Sequence, residues 1–175
     1  MDFRNTNKNE VESISGKAEY LVKLHDANHK IKNADYLLTT TFKAFKEPKI
    51  LINVLKNIDE SFDMAISTIC YRDRDLKLVS KFHDSSISRL NLFKQKLAPK
   101  YGFDEKLIKI ISEIRELLEQ HKTSPVEFTR RTEFIICNNS FGIKKINYEN
   151  TKQYLEIAKK FIFDIEKIIQ TNKVN

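Results

Sequence analysis

The chain has 175 residues, of which 41% are hydrophobic and 31% charged, with only three Gly and three Pro. That length fits one domain, in which roughly 70% of the unfolded surface can be buried without staples, and the scarcity of turn formers argues against a sandwich or barrel. Lys and Arg outnumber Asp and Glu by 31 to 24, a formal net charge of +7; the excess favours polyanionic partners, although no block of five like charges gathers it into a tail.

Cys70 and Cys137 stand far apart, outside any CxxC pair or histidine cluster, which removes disulfide-scaffold and zinc-finger readings. The opening M-D-F-R-N-T-N-K-N-E holds no apolar h-region, and no apolar run approaches the ~18 residues of a membrane span. The expectation is a cytoplasmic protein with no membrane partner, no cofactor and no metal.

Residues 1–14 are polar and aperiodic and read as a flexible N-terminal arm. Residues 15–171 read as a single helical-bundle domain and 172–175 as a C-terminal tail. From about Lys17 to Phe45, Leu24, Ala27, Ile31, Ala34, Leu38, Thr41 and Phe45 recur three and four apart and draw one stripe down a first helix. Pro48 suits a helix start, and a second stripe runs from Leu51 to Ile69, ending near Tyr71.

Arg72, Asp73, Arg74 and Asp75 form a charged corner before a third segment that carries Leu76, Val79, Ile87, Leu90, Phe93 and Leu97. Asp84, Ser85 and Ser86 are N-cap residues, so two shorter helices are an alternative there. His83 falls between Val79 and Ile87 at helical spacing and reads as half-buried and hydrogen-bonded. P-K-Y-G, residues 99–102, is a turn; Asp104 then caps a fourth helix with Phe103 and Ile108 as a hydrophobic staple.

Pro125 disfavours helix at Ser124, so the fourth helix ends near Thr123. Ser124, Pro125 and Glu127 spell a capping box and a short helix. T-E-F-I-I-C and I-K-K-I flank N-N-S-F-G and predict a small β-hairpin, after which Asn147 caps the last helix. The fold class is therefore all-α, an up-and-down bundle of four to five long helices with a hairpin inserted before the last.

Charge concentrates where the fourth helix breaks, in R-E-L-L-E-Q-H-K-T-S-P-V-E-F-T-R-R from Arg115 to Arg131. Arg115 and His121 bracket five residues, and this R-x5-H pattern resembles the Rx4-6H motif of the HEPN superfamily of helical bundles. The resemblance implies RNA binding or metal-independent endoribonuclease activity at a homodimer interface, with Arg115 and His121 as catalytic residues. Glu116 departs from the family, where a polar residue, often Asn, commonly follows the arginine. The string H-K-x-S-P-V-E-F-x-R also resembles one in uncharacterised archaeal proteins and implies no activity.

The chemistry is coherent: an imidazole moves protons near neutral pH while a guanidinium fork holds a phosphate. Six helical positions leave Arg115 and His121 about 120° apart, so unwinding or dimerisation has to bring them together. The alternative is that Arg115 pairs with Glu119 and His121 only ends the helix. Lys122, Ser124, Arg130 and Arg131 are the candidate RNA or phosphate contacts around the predicted short helix, whose free amides suit an anion; a solvated basic turn, with Glu127 closing the capping box, is the alternative.

His25 and His29 lie one helical turn apart but off the stripe and without a third ligand, which reads as a solvent-facing pair. No glycine-rich phosphate loop, nucleophile elbow or Cys/His pair is present. Two functions remain: a HEPN-like RNA-associated protein, or a non-catalytic interaction module such as an adaptor, scaffold or antitoxin-like partner.

Overall fold

The computed structural model describes residues 18–138 and 142–171; the arm at 1–14, the tail at 172–175 and the centre of the N-N-S-F-G turn lie outside them. Among the described residues the chain is mostly helical, with five helices and a small antiparallel sheet before the last. Among the described residues, no helix is long and apolar enough to cross a membrane.

Helix α1 spans Glu19–Tyr36 and continues through a π-helical turn, Leu37–Thr41, into Phe42–Phe45. Ala27, Ile31, Ala34 and Leu38 are buried along it as the stripe predicts. Phe45 is 74% exposed, and Phe42 enters the core instead, stacked on Tyr148. A π turn takes more residues per revolution than an α turn, so everything after it is rotated away from the α-helical spacing on which the stripe was drawn.

Helix α2, Lys49–Asp75, is packed on several sides, with α1, α3, α4 and α5 all against it. It runs one turn beyond Tyr71. The expected charged corner is split: Arg72 and Asp73 are buried, while Arg74 and Asp75 face outward. Asp73 is wholly inaccessible and accepts from Lys100 Nζ at 2.7 Å, Tyr101 Oη at 2.8 Å and Arg72 Nη1 at 2.9 Å. A buried carboxylate is tolerated here because two cations and a hydroxyl replace its water.

Residues 76–84 are not helical, which corrects the third stripe: Leu76 and Ile87 are exposed, and so is His83. Ser85 decides the outcome by capping α3 with its side chain on the Ser88 N–H at 3.2 Å. Helix α3 is Ser86–Leu92, a second π-helical turn, Phe93–Leu97, and Ala98–Tyr101. The expected turn at 99–102 is the last turn of this helix, ended by Gly102 at φ 75°, a left-handed conformation that suits glycine.

Helix α4, Glu105–Thr123, begins and ends as expected, with Asp104 accepting from the Leu107 N–H at 3.0 Å. Past Pro125 the predicted short helix is instead strand β1, Val126–Arg130, paired with β2, Glu133–Cys137, which pairs in turn with β3, Ile143–Ile146, in the order β1-β2-β3. Val126, Phe128 and Thr129 are strand formers, and a ladder with the apolar E-F-I-I-C outweighs one local capping box.

The register sets the faces. Ile136, Phe134 and Ile146 join the helical core, so Val126, Cys137 and Ile143 form a row on the outer face, followed by Phe128, Ile135 and Lys145. Helix α5, Tyr148–Thr171, starts from Asn147, which accepts from the Asn150 N–H at 2.9 Å. Its Phe161 meets Phe62, Phe93 and Phe103 at centroid distances of 5.1–5.6 Å and closes the core.

Candidate functional site

Arg115 lies on the face of α4 turned toward α2. Its Nε donates to Asp59 Oδ1 at 2.9 Å and its Nη2 to Asp63 Oδ1 at 3.2 Å. Those carboxylates are one turn apart on α2 and receive both ends of the guanidinium fork. The expected Arg115–Glu119 pair does not form; Glu119 takes Lys122 at 3.2 Å instead. A cross-helix contact to two part-buried carboxylates is worth more to an arginine than one exposed pair on its own helix.

The network extends onto α3. Asp63 also accepts from Arg89 Nη2 at 2.9 Å and from the Ser86 hydroxyl, and Arg89 reaches Asp84, which accepts from Tyr71 Oη at 2.5 Å. Asp59, Asp63 and Ser86 border, with Arg115, a groove of about 540 Å³ between α2 and α4. Lys56, Arg115 and Lys122 there face Asp59, Glu60, Asp63 and Glu119, so carboxylates outnumber cations. Burial pushes the Asp59 carboxyl above its ordinary range, against the pull of Arg115, with Asp63 and Glu60 adding to the rise. Such a groove suits a cation better than a phosphate.

His121 sits in the last turn of α4 and faces the sheet. Its Nδ1 is 2.8 Å from Glu127 Oε1 on β1, and its ring meets Phe134 edge-on at 6.0 Å. A carboxylate on Nδ1 fixes the tautomer and leaves Nε2 for proton exchange. Arg115 and His121 are thus held by different carboxylates on different elements, and no hydrogen bond or ion pair joins them among the described residues.

The remaining candidates separate along β1. The Ser124 hydroxyl lies 2.8 Å from the carbonyls of both Val126 and Cys137 and ties the strand's start to β2. Glu127 holds His121 rather than Ser124, so neither the capping box nor the helix-end anion site exists. Arg130 and Arg131 are at the other end of β1, roughly 20 Å along the strand from Ser124. There they border a concavity of about 360 Å³ with Lys145 of β3, opposed by Glu133.

Arg131 is the first residue of the two-residue turn between β1 and β2 and has φ 56°. His25 and His29 are exposed. Burial pushes the Cys70 thiol up to about 12, which leaves it protonated and unreactive at neutral pH.

The residues that the sequence reading passed over are Asp59, Asp63, Arg89 and Lys145, together with Glu127 in its role as the His121 partner. Asp59 and Asp63 do carry a signal, a carboxylate pair at i, i+4 off the apolar stripe of a long helix, a spacing that places like charges on one face and calls for a cation. Lys145 carries none until β3 is paired in register.

No family model matches the chain, and no curated protein and no solved structure matches it significantly.

Proposed function

We propose that this chain is a HEPN-like, RNA-associated protein whose five helices form an up-and-down bundle and whose phosphate contacts lie at the tip of the β1–β2 hairpin. The observation that carries this reading is the concavity where Arg130, Arg131 and Lys145 face the carboxylate of Glu133. Three cations sharing one solvent-open depression lose less by binding a phosphate than cations already paired inside a groove. Arg115 is of the second kind, so its role in this proposal is to brace α4 against α2. Any strand cleavage falls to His121, the imidazole oriented by Glu127.

The test is binding of a fluorescent single-stranded RNA. The double variant Arg130→Ala/Lys145→Ala is expected to lower affinity about tenfold or more, while Arg115→Ala, once shown to be folded, leaves it unchanged. Cleavage in the presence of a chelator, lost in His121→Ala, makes the protein a ribonuclease; its absence from the wild type leaves a binder. Equal affinity of wild type and double variant defeats the reading.

A second reading, an interaction module, is favoured by the outer sheet face, where Val126 is 54%, Phe128 46% and Ile143 61% exposed around a buried Ile135. Side chains of this kind close together on one face suit a protein surface.

A further inference from the structure

We propose that β1 is a homodimerisation edge: two copies of this chain pair their β1 strands antiparallel about a two-fold axis at Phe128, merging two three-stranded sheets into one of six strands. The pairing stands on the sheet alone; only its consequence for phosphate rests on the reading above.

Among the described residues β1 is paired on one side, by β2, which leaves the backbone groups of its other side without a strand. Sheet edges of this kind are normally guarded by very short strands, lysine, proline, inward-pointing charges or a bulge. The opposite edge has such a guard. On β3, Lys144 and Lys145 are adjacent, and pairing β3 with its own copy through the middle of the strand sets lysine against lysine. Between Val126 and Arg130 there is no lysine and no proline, the one-to-one register with β2 leaves no bulge, and the one inward-pointing charge, Glu127, is already engaged by His121.

The side chains select one register. A two-fold axis normal to the sheet keeps outer faces together, so the axis passes through Glu127, Phe128 or Thr129. Through Glu127 it opposes two carboxylates and brings in Pro125, which has no N–H to give. Through Thr129 it runs Val126 and Glu127 against the turn residues Thr132 and Arg131. Through Phe128 all five strand residues are used: Val126 faces the partner's Arg130, Glu127 faces the partner's Thr129, and Phe128 meets the partner's Phe128. No like charges oppose one another, and an aromatic pair lies on the axis.

Both copies then contribute to one surface. Arg130 and the partner's Arg130 lie on the same outer face about 14 Å apart, from the strand rise and the interstrand spacing, so the two cationic tips can follow a single RNA strand. On the inner face the partner's Thr129 comes beside Glu127, the residue that orients His121. A five-residue pairing covers less than the ~1,200–2,000 Å² of a standard interface, so association is expected to vary with concentration.

Sedimentation of the wild type over a concentration series should show monomer passing to dimer. Phe128→Asp, which sets like charges on the axis at a half-exposed position, should weaken the dimer at least tenfold with an unchanged circular dichroism spectrum. In a Cys137→Ser background, Phe128→Cys should form a covalent dimer on mild oxidation, because that pairing holds the two Cα atoms about 4.5–5.5 Å apart. Arg130→Cys should cross-link to Val126→Cys when the two proteins are mixed, and neither should cross-link to itself.

A wild type that stays monomeric throughout overturns the pairing, as does a Phe128→Asp dimer of wild-type strength or equal cross-linking at all three positions. Lys145→Ala separates the two proposals. A monomer that binds RNA through Lys145 overturns the pairing alone, and a dimer whose RNA affinity ignores Lys145 overturns the phosphate reading alone.

Discussion

Arg131 holds a left-handed backbone at φ 56° in a turn where glycine is the natural occupant. A side chain there costs on the order of 1–2 kcal/mol, partly offset by the greater freedom that glycine has when unfolded. Arg131→Gly is therefore expected to leave the protein equally stable or up to about 1 kcal/mol more stable in urea unfolding, while its RNA affinity falls. Opposite signs in the two measurements are what a strained residue kept for its guanidinium should give; a loss of stability larger than about 1 kcal/mol makes Arg131 a structural anchor instead.

Asp59 argues in the other direction. Burial raises its carboxyl more than Arg115 lowers it, so the folded state holds the proton more tightly than the unfolded chain does. Its contribution is fully present below the ordinary carboxylate value and is lost as pH rises through the raised folded value. Relative to wild type, Asp59→Asn should remove that decline, so the stability difference between the two proteins changes across the weakly acidic range and is flat above it. An unchanged difference throughout defeats the assignment. At this scale the sequence marks the break between His121 and Glu127 through Pro125 but not the direction in which the chain returns. Both Ser124 and His121 were open to Glu127, and only the strand geometry selects the histidine.

Elements were legible where a cap and a stripe agree. Asp104 and Asn147 each accept a backbone N–H at the predicted helix start, and α4 stops where Pro125 requires. Asp104→Ala should cost about 1 kcal/mol in unfolding free energy. One failure arises because periodicity assumes one pitch. The π-helical turn Leu37–Thr41 changes the pitch without changing composition, which is why the stripe points Phe45 at the core while Phe42 enters it. The short helix at Ser124–Glu127 failed because β1 is stabilised by a partner strand and not by its own residues.

The R-D-R-D corner was unreadable for the same reason, since Lys100 and Tyr101, which make its burial tolerable, arrive from α3. Asp73→Ala is expected to destabilise by about 3–5 kcal/mol, because it leaves the cation of Arg72 buried without its counter-ion. Thermal melts of Asp73→Ala and of exposed Asp75→Ala should differ widely; similar melting temperatures would show that the buried cluster does not tie α2 to α3.

For the whole molecule the open question is whether its +7 charge acts as a sum or as a cluster. Much of the charge is locally cancelled: Arg115, Arg89, Arg72, Lys100 and Lys159 all face carboxylates. Arg130, Arg131 and Lys145 share one carboxylate. Counterion release makes the logarithm of RNA affinity fall with the logarithm of salt concentration by about 0.7 per neutralised phosphate on a single strand. Three cations per chain predict a slope of about −2, and two tips on one strand in the β1-paired dimer predict about −4.

If the whole net charge were engaged by each monomer, the slope would be about −5, and Lys145→Ala would change it by about 0.7, no more than loss of a lysine anywhere else. The cluster reading starts from the smaller slope, requires that Lys145→Ala reduce it by about 0.7 per chain while loss of an exposed lysine away from the sheet leaves it unchanged, and requires that Phe128→Asp return it toward the monomer value. Salt titrations of these proteins against one RNA therefore measure where the cations sit and how many copies contribute them. A slope that ignores both substitutions places the contact surface away from the sheet.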